Sequence, residues 1–171
     1  MGEVVNARAG GERIIIKTFD SEFAHLDSRS RRILEATPAA LLYINQQTTA
    51  TPAGSSVGES LIRAAGVVEQ TFGGLTASLW DNPFEWTLPE TLSNVNRILE
   101  YLSEVEETRK RAFSTFLTDA DLRKEISFPA GNLEPLIHLL LTTLVRAADY
   151  QGQALATLKS HSTPSAPGFI I

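Results

Sequence analysis

Apolar residues recur along this chain mostly at three- and four-residue spacing, the period of helices with one buried face. The clearest run is Leu61, Ala65, Val68, Phe72, Leu75 and Leu79. Ser56-Val-Gly-Glu59 just before it has the form of a capping box and places a helix start there. A later helix carries Leu92, Val95, Leu99, Leu102, Arg109, Phe113 and Phe116, with a start offered at Thr87-Leu-Pro89-Glu90 and acidic residues at 100, 104, 106 and 107 mostly outside. The last helix runs from about Pro135 to Lys159. Its apolar positions, from Leu136 through Ile137 and Leu140 to Val145, wrap well over half the circumference. Such a helix is buried on more than one side: against the core, and against either a partner subunit or an N-terminal strap. The first helix is expected to begin near Asp20 or Ser21, with Phe19, Phe23, Leu26, Ile33 and Leu34 inward and Arg29, Arg31 and Arg32 on a solvated face.

Between these helices the chain is punctuated. Pro38 ends the first helix and opens a short piece, Ala39–Ile44. Residues 45–55, rich in Thr, Gln, Pro and Gly, read as a loop. Ile14-Ile-Ile16 reads as a hydrophobic strap against the bundle, since no strand partner is evident. Gly73-Gly74 weakens its helix locally and lets a neighbouring helix come close. Trp80, Phe84 and Trp86 flank the Asp81–Pro83 turn and are expected to cover a bundle end, with a ligand wall or dimer contact as the alternative. Thr118-Asp-Ala-Asp121 caps a short turn, and Phe128-Pro-Ala-Gly131 is a loop. The expected organisation is an N-terminal arm (1–18), an all-α four-helix bundle (19–160) with a long crossover between helices 2 and 3, and a C-terminal tail (161–171).

Composition narrows the function classes. The chain has 171 residues and a net charge of −5, so it lacks the excess of Lys and Arg that holds a nucleic acid by its phosphates. It has no cysteine, which excludes disulfides, thiolate metal sites and cysteine nucleophiles. No basic segment leads into an apolar signal region, and no apolar run approaches the ~20 residues that span a bilayer. A cytoplasmic protein without nucleic-acid or membrane partners is expected.

The ordered set of signals resembles the DinB/YfiT-like family of helical bundles over most of the chain. The set comprises the Thr37-Pro38-Ala-Ala-Leu41 stretch, the Val-Gly-Glu59 helix start with Glu69 further on, Asp119-Ala-Asp121-Leu122, Pro129-Ala-Gly131, and Gly152-Gln153 leading to Leu158. The resemblance implies a four-helix bundle, a frequent homodimer, and a pocket at one end where three histidines hold a metal such as nickel or zinc. Some relatives are thiol-dependent transferases or isomerases.

At the positions that match the family's histidines this chain has Ala64, Arg146 and Tyr150. Alanine has no donor atom, arginine no lone pair, and tyrosine ligates only when deprotonated. No metal or other cofactor is therefore expected. The three histidines present do not replace the triad: none is spaced i, i+4, and His138 and His161 are roughly 30 Å apart along one helix. Nothing resembles a Gly-x-Ser-x-Gly elbow. Arg146, Tyr150 and Gln153 share one helical face, and with Ala64 and Glu69 they make up the candidate pocket. Three readings stand open: Arg146 paired with a carboxylate such as Glu69, Arg146 recognising an anionic ligand that Tyr150 orients, or all three on the solvated surface.

The expected function is a small-molecule-binding or interaction module, with an anion or a thiol as ligand and no assigned activity. The alternatives are a metal-independent, thiol-dependent transferase-like enzyme using Arg146 and Tyr150, and a metal-dependent hydrolase or transferase with other ligands.

Overall fold

The computed structural model describes residues 12–44, 55–81 and 91–161. Most of them lie in four helices: α1 (Ile14–Glu35), α2 (Val57–Ala77), α3 (Val95–Thr115) and α4 (Leu136–His161). A 3-10 turn at Ala39–Leu41 follows α1, and a second at Asp119–Arg123 follows α3. Two three-residue strands, β1 (Glu125–Ser127) and β2 (Leu133–Pro135), form an antiparallel hairpin before α4. That hairpin was not expected, because three-residue strands are too short to show a two-residue period.

The helices pack around one core with α1 and α2 on one diagonal and α3 and α4 on the other. Hydrogen bonds give their directions. Arg13 donates to the Phe113 carbonyl (3.1 Å) and Arg31 to Ser103 (3.3 Å), so α1 and α3 are antiparallel. Thr71 meets Thr143 (2.7 Å) and Thr157 donates to the Ser55 carbonyl (3.4 Å), so α2 and α4 are antiparallel. Asp119 accepts from α1's first turn while the Leu136 N–H donates to the Lys124 carbonyl (2.8 Å), so α1 and α4 start at the same end. The directions are up, down, down, up. The connection between α2 and α3 therefore crosses the length of the bundle; Pro83, Phe84, Trp86, Thr87 and Pro89 fall in its 82–90 stretch, outside the described residues.

The core is built on Phe23, Phe72 and Phe113, whose rings meet at centroid distances of 5.0 to 6.0 Å, with Phe116 edge-on to Phe113. Leu26, Ile33, Leu34, Leu61, Ala65, Val68 and Leu102 are buried around them, on the faces that the spacing predicts. Ser56 opens α2 as the cap that the sequence predicts: its hydroxyl accepts from the Glu59 N–H, and the Glu59 carboxylate accepts from the Ser56 N–H. The first 3-10 turn docks on the same helix end. The Gly58 N–H donates to the Leu42 carbonyl (2.8 Å), and a side chain at Gly58 would run into the Tyr43 ring.

Several boundaries differ from expectation. Ile14-Ile-Ile16 is the first turn of α1, not a strap, so the helix begins inside the expected arm. Its cap comes from far along the chain: the two carboxylate oxygens of Asp119 accept from the Ile15 and Ile16 N–H groups, both at 3.0 Å. No local residue signals this start. Helix α3 begins at Val95 with Asn94 accepting from the Arg97 N–H (3.1 Å), later than Thr87–Glu90. Arg31 is not simply solvated; it pairs with Asp27 (2.7 Å) on α1 and reaches Glu106 (3.6 Å) on α3. The second apolar side of α4 is open: Ile137, Leu141 and Val145 are exposed. No helix among the described residues is long and apolar enough to cross a membrane.

The turn after α3 is held by charge. Asp121 pairs with Lys124 and accepts from the Thr118 and Leu117 N–H groups, which brings its carboxyl down to about 2. At Asp119 desolvation opposes ionisation, but the N–H groups of Ile16, Ile15 and Ile14 and the Arg13 charge outweigh it and lower the pKa. Both carboxyls sit below their unfolded value of about 3.9. Their contribution is therefore present above that pH and lost as the pH falls through the lowered values. We expect Asp119→Ala to lower the melting temperature at pH 7 and to speed amide exchange at Ile15 and Ile16. The difference from wild type is expected to shrink as the pH falls from 4 towards 2. Unchanged exchange at those two amides would show that α1 does not depend on this cap.

Candidate functional site

The five residues expected to form one pocket do not come together. The cause is the register of α4. Its buried positions are Leu136, Leu140, Ala147, Gln151, Ala154 and Leu158, with Leu139 and Thr143 beside them. Gln151, not Tyr150 or Gln153, thus points into the core. Gln153 is exposed and Tyr150 half-buried on the flank.

Ala64 lines an inner cavity of about 30 Å³ between all four helices, walled by Phe23, Leu26, Val68, Val105 and Ala147. Its polar lining is Ser30, Asp27, Glu106, Arg109 and Gln151. Gln151 is only 2% exposed; its amide nitrogen donates to the Ser30 hydroxyl (2.6 Å) and to the Leu26 carbonyl. Arg109, also buried, pairs with the Asp20 carboxylate and donates to the Asp20 carbonyl (3.0 Å). The Gln151 Oε1 and the Arg109 Nε–H lack a hydrogen-bond partner among the described residues. This space has room for one or two waters, which need about 10–15 Å³ each and polar partners.

The resemblance implies a metal, and these residues do not fit one. Ala64 and Ala147 offer no donor atom, and the unpartnered Arg109 Nε brings a positive group to the cavity. Among the described residues no cluster of three or more His, Cys, Asp or Glu side chains could hold a metal ion.

Glu69 points the other way, towards α3, where the Tyr101 hydroxyl donates to its carboxylate. It is not the partner of Arg146. Desolvation raises the Glu69 pKa, the Tyr101 hydrogen bond works against this, and Glu104 adds to the rise.

Arg146 lies in a different recess, a cleft of about 380 Å³ on the outer side of the α2–α4 contact. Leu139, Thr142, Thr143 and Arg146 form one wall; their i, i+3, i+4, i+7 spacing puts them on one face of α4. Gln70 and Thr71 of α2 form the floor. Thr143 donates to the Leu139 carbonyl (2.8 Å), so its hydroxyl accepts from Thr71. The opposite wall is Trp80 with Phe128, Pro129 and Ala130 of the hairpin turn, the two rings 4.6 Å apart. Arg146 is exposed and has no hydrogen-bond or ion-pair partner among the described residues.

Trp80 was expected to close a bundle end; it walls this cleft. Ser78 adopts a left-handed conformation (φ 56°) just past α2, and the Ser78 and Leu79 N–H groups return to the Gly74 and Gly73 carbonyls. The chain thereby doubles back and lays the indole on Gly74, where a Cβ would overlap the ring. Gln70 fixes the turn by donating to the Trp80 carbonyl (2.8 Å). The glycine pair thus admits an aromatic ring, not a neighbouring helix. No protein-family model, curated protein or solved structure matches the chain.

Two outcomes follow from these contacts. Gly→Ala inside a helix ordinarily stabilises by about 1 kcal/mol. Gly74→Ala is expected to destabilise instead and, in a Trp86→Phe background, to red-shift Trp80 emission; a gain in melting temperature with unchanged emission would contradict the packing. A folded-state pKa above the unfolded one means that Glu69 favours the fold below about 4.5, and that this advantage disappears as the pH rises through the raised value. Glu69→Gln is therefore expected to be more stable than wild type at pH 7, with the gap closing by pH 4, as followed by thermal melts across that range.

Proposed function

We propose that this chain is a DinB-like helical bundle that binds a small organic anion without the family's metal, with Arg146 as the anion-recognising residue. The observation that carries this reading is a cleft of ligand size, about 380 Å³, with an unpartnered guanidinium at its edge and an aromatic wall facing it. Ligand pockets of this type run from about 300 to 1,000 Å³ and combine apolar walls with a few placed polar groups. A guanidinium matches a carboxylate in shape and charge. Helix polarity and the crossover between α2 and α3 support the family reading. Exposed Ile137, Leu141 and Val145 on α4 support a homodimer.

Titration with benzoate, followed by Trp80 fluorescence in Trp86→Phe protein, tests this proposal. Saturable binding is expected, with benzamide, the uncharged isostere, much weaker. Hydrogen bonds to charged groups contribute about 1.5–3 kcal/mol, so Arg146→Gln is expected to weaken benzoate at least tenfold. Equal binding by the two probes, or an Arg146→Gln protein that binds like wild type, would remove the proposal.

A further inference from the structure

The cleft is charged at both ends, and with opposite signs. Among the described residues lining it, Arg146 and Glu134 are the charged ones. Glu134 lies on β2, two residues before α4 begins, and Arg146 lies ten residues into that helix. The ten helical steps from Leu136 to Arg146 cover roughly 15 Å along the axis at about 1.5 Å each, and the two strand residues before them add at most about 3.3 Å each. Their side chains line one recess. Between them run the apolar and hydroxyl groups of Leu139, Thr142 and Thr143, faced by Trp80 and Phe128.

Glu134 has one ion-pair partner among the described residues, His138 one turn on; the histidine side chain is 66% exposed and that of Glu134 27%. Such exposed pairs contribute at most about 1 kcal/mol, so the carboxylate remains available to a stronger donor. Trp80 adds to the attraction for a cation, because an ammonium near an indole face is drawn to its quadrupole.

Resting on the reading of Arg146 as the anion site, we propose that the ligand is dipolar: a flat or extended apolar body with a carboxylate at the Arg146 end and an ammonium at the Glu134 end. Glu134 is then the residue that selects among organic anions, and Arg146 the one that holds them all. A simple anion leaves Glu134 to its histidine, whereas a dipolar ligand engages both ends of the α4 face at once.

The test compares 4-methylbenzoate with 4-(aminomethyl)benzoate, and 4′-methylbiphenyl-4-carboxylate with its 4′-aminomethyl analogue, so that two spans are sampled. At least one amine is expected to bind about fivefold tighter than its methyl partner, the size of a half-exposed ion pair. In Glu134→Gln protein that advantage is expected to vanish while the methyl compounds bind as in wild type. His138→Ala, which frees the carboxylate, is expected to preserve or increase the advantage. Amines no tighter than their methyl partners at either span, or an advantage that survives Glu134→Gln, would overturn the dipolar ligand and leave the Arg146 anion site standing. Failure of every carboxylate to bind through Arg146 would overturn both.

Discussion

Helix α2 lies directly on α4, and the closeness of that contact decides where space remains elsewhere. Ala64, Ala65 and Gly66 on α2 and Ala147 on α4 are buried at or beside the contact and contribute almost no bulk. Helix separation follows the size of the side chains between the axes, so small residues bring the backbones together. At Thr71 and Thr143 polar groups meet in the seam, and there one hydroxyl donates to the other, which in turn donates to the Leu139 carbonyl. Both hydroxyls thus keep a partner in the dry contact, as buried polar groups require. The inner cavity opens on one side of this seam and the cleft on the other.

The segment from Phe116 to Pro135 then ties the rest to that seam. Asp119 caps α1, the Asp119 N–H donates to the Glu12 carbonyl (2.8 Å), and Lys124 receives the first N–H of α4. The starts of two helices, α1 and α4, are therefore fixed by one short stretch of chain. Its hairpin turn also carries Phe128, Pro129 and Ala130 to the cleft. The aromatic wall is thus built from two distant pieces, one returned over Gly74 by the end of α2 and one presented by the hairpin.

Helix content and the inward faces were legible because they rest on repetition. Leu61, Ala65, Val68 and Phe72 announce one face without any knowledge of what it meets, and Ser56 with Glu59 announces a start through a purely local exchange of hydrogen bonds. What could not be read depends on partners distant in the chain. Nothing near Ile14 signals a helix start, since its cap is Asp119, more than 100 residues on. Gly74 looked like a concession to a neighbouring helix because only the fold shows which group returns to it. The cleft residues Gln70, Thr142 and Glu134 carried no motif; Thr142 is identifiable in retrospect by its i, i+4 spacing to Arg146. A sequence cue for the correct register did exist at Ala147, Gln151, Ala154 and Leu158, small or apolar residues with one glutamine on the inward stripe.

That glutamine changes the electrostatic character of the interior. Placing Arg146 inward would have required a buried counter-charge near Ala64, and Glu69 is turned to Tyr101 instead. With Gln151 inward, α4 contributes a neutral amide, and the buried cation comes from α3 as Arg109, already neutralised by Asp20. A neutral amide beside a paired guanidinium needs only small polar company, which suits a cavity of about 30 Å³. Arg146 lies outward, beside a recess more than ten times larger. Usable volume and a guanidinium without a partner among the described residues therefore coincide on the outer face of the α2–α4 contact, and the inner face is left to hold the helices together.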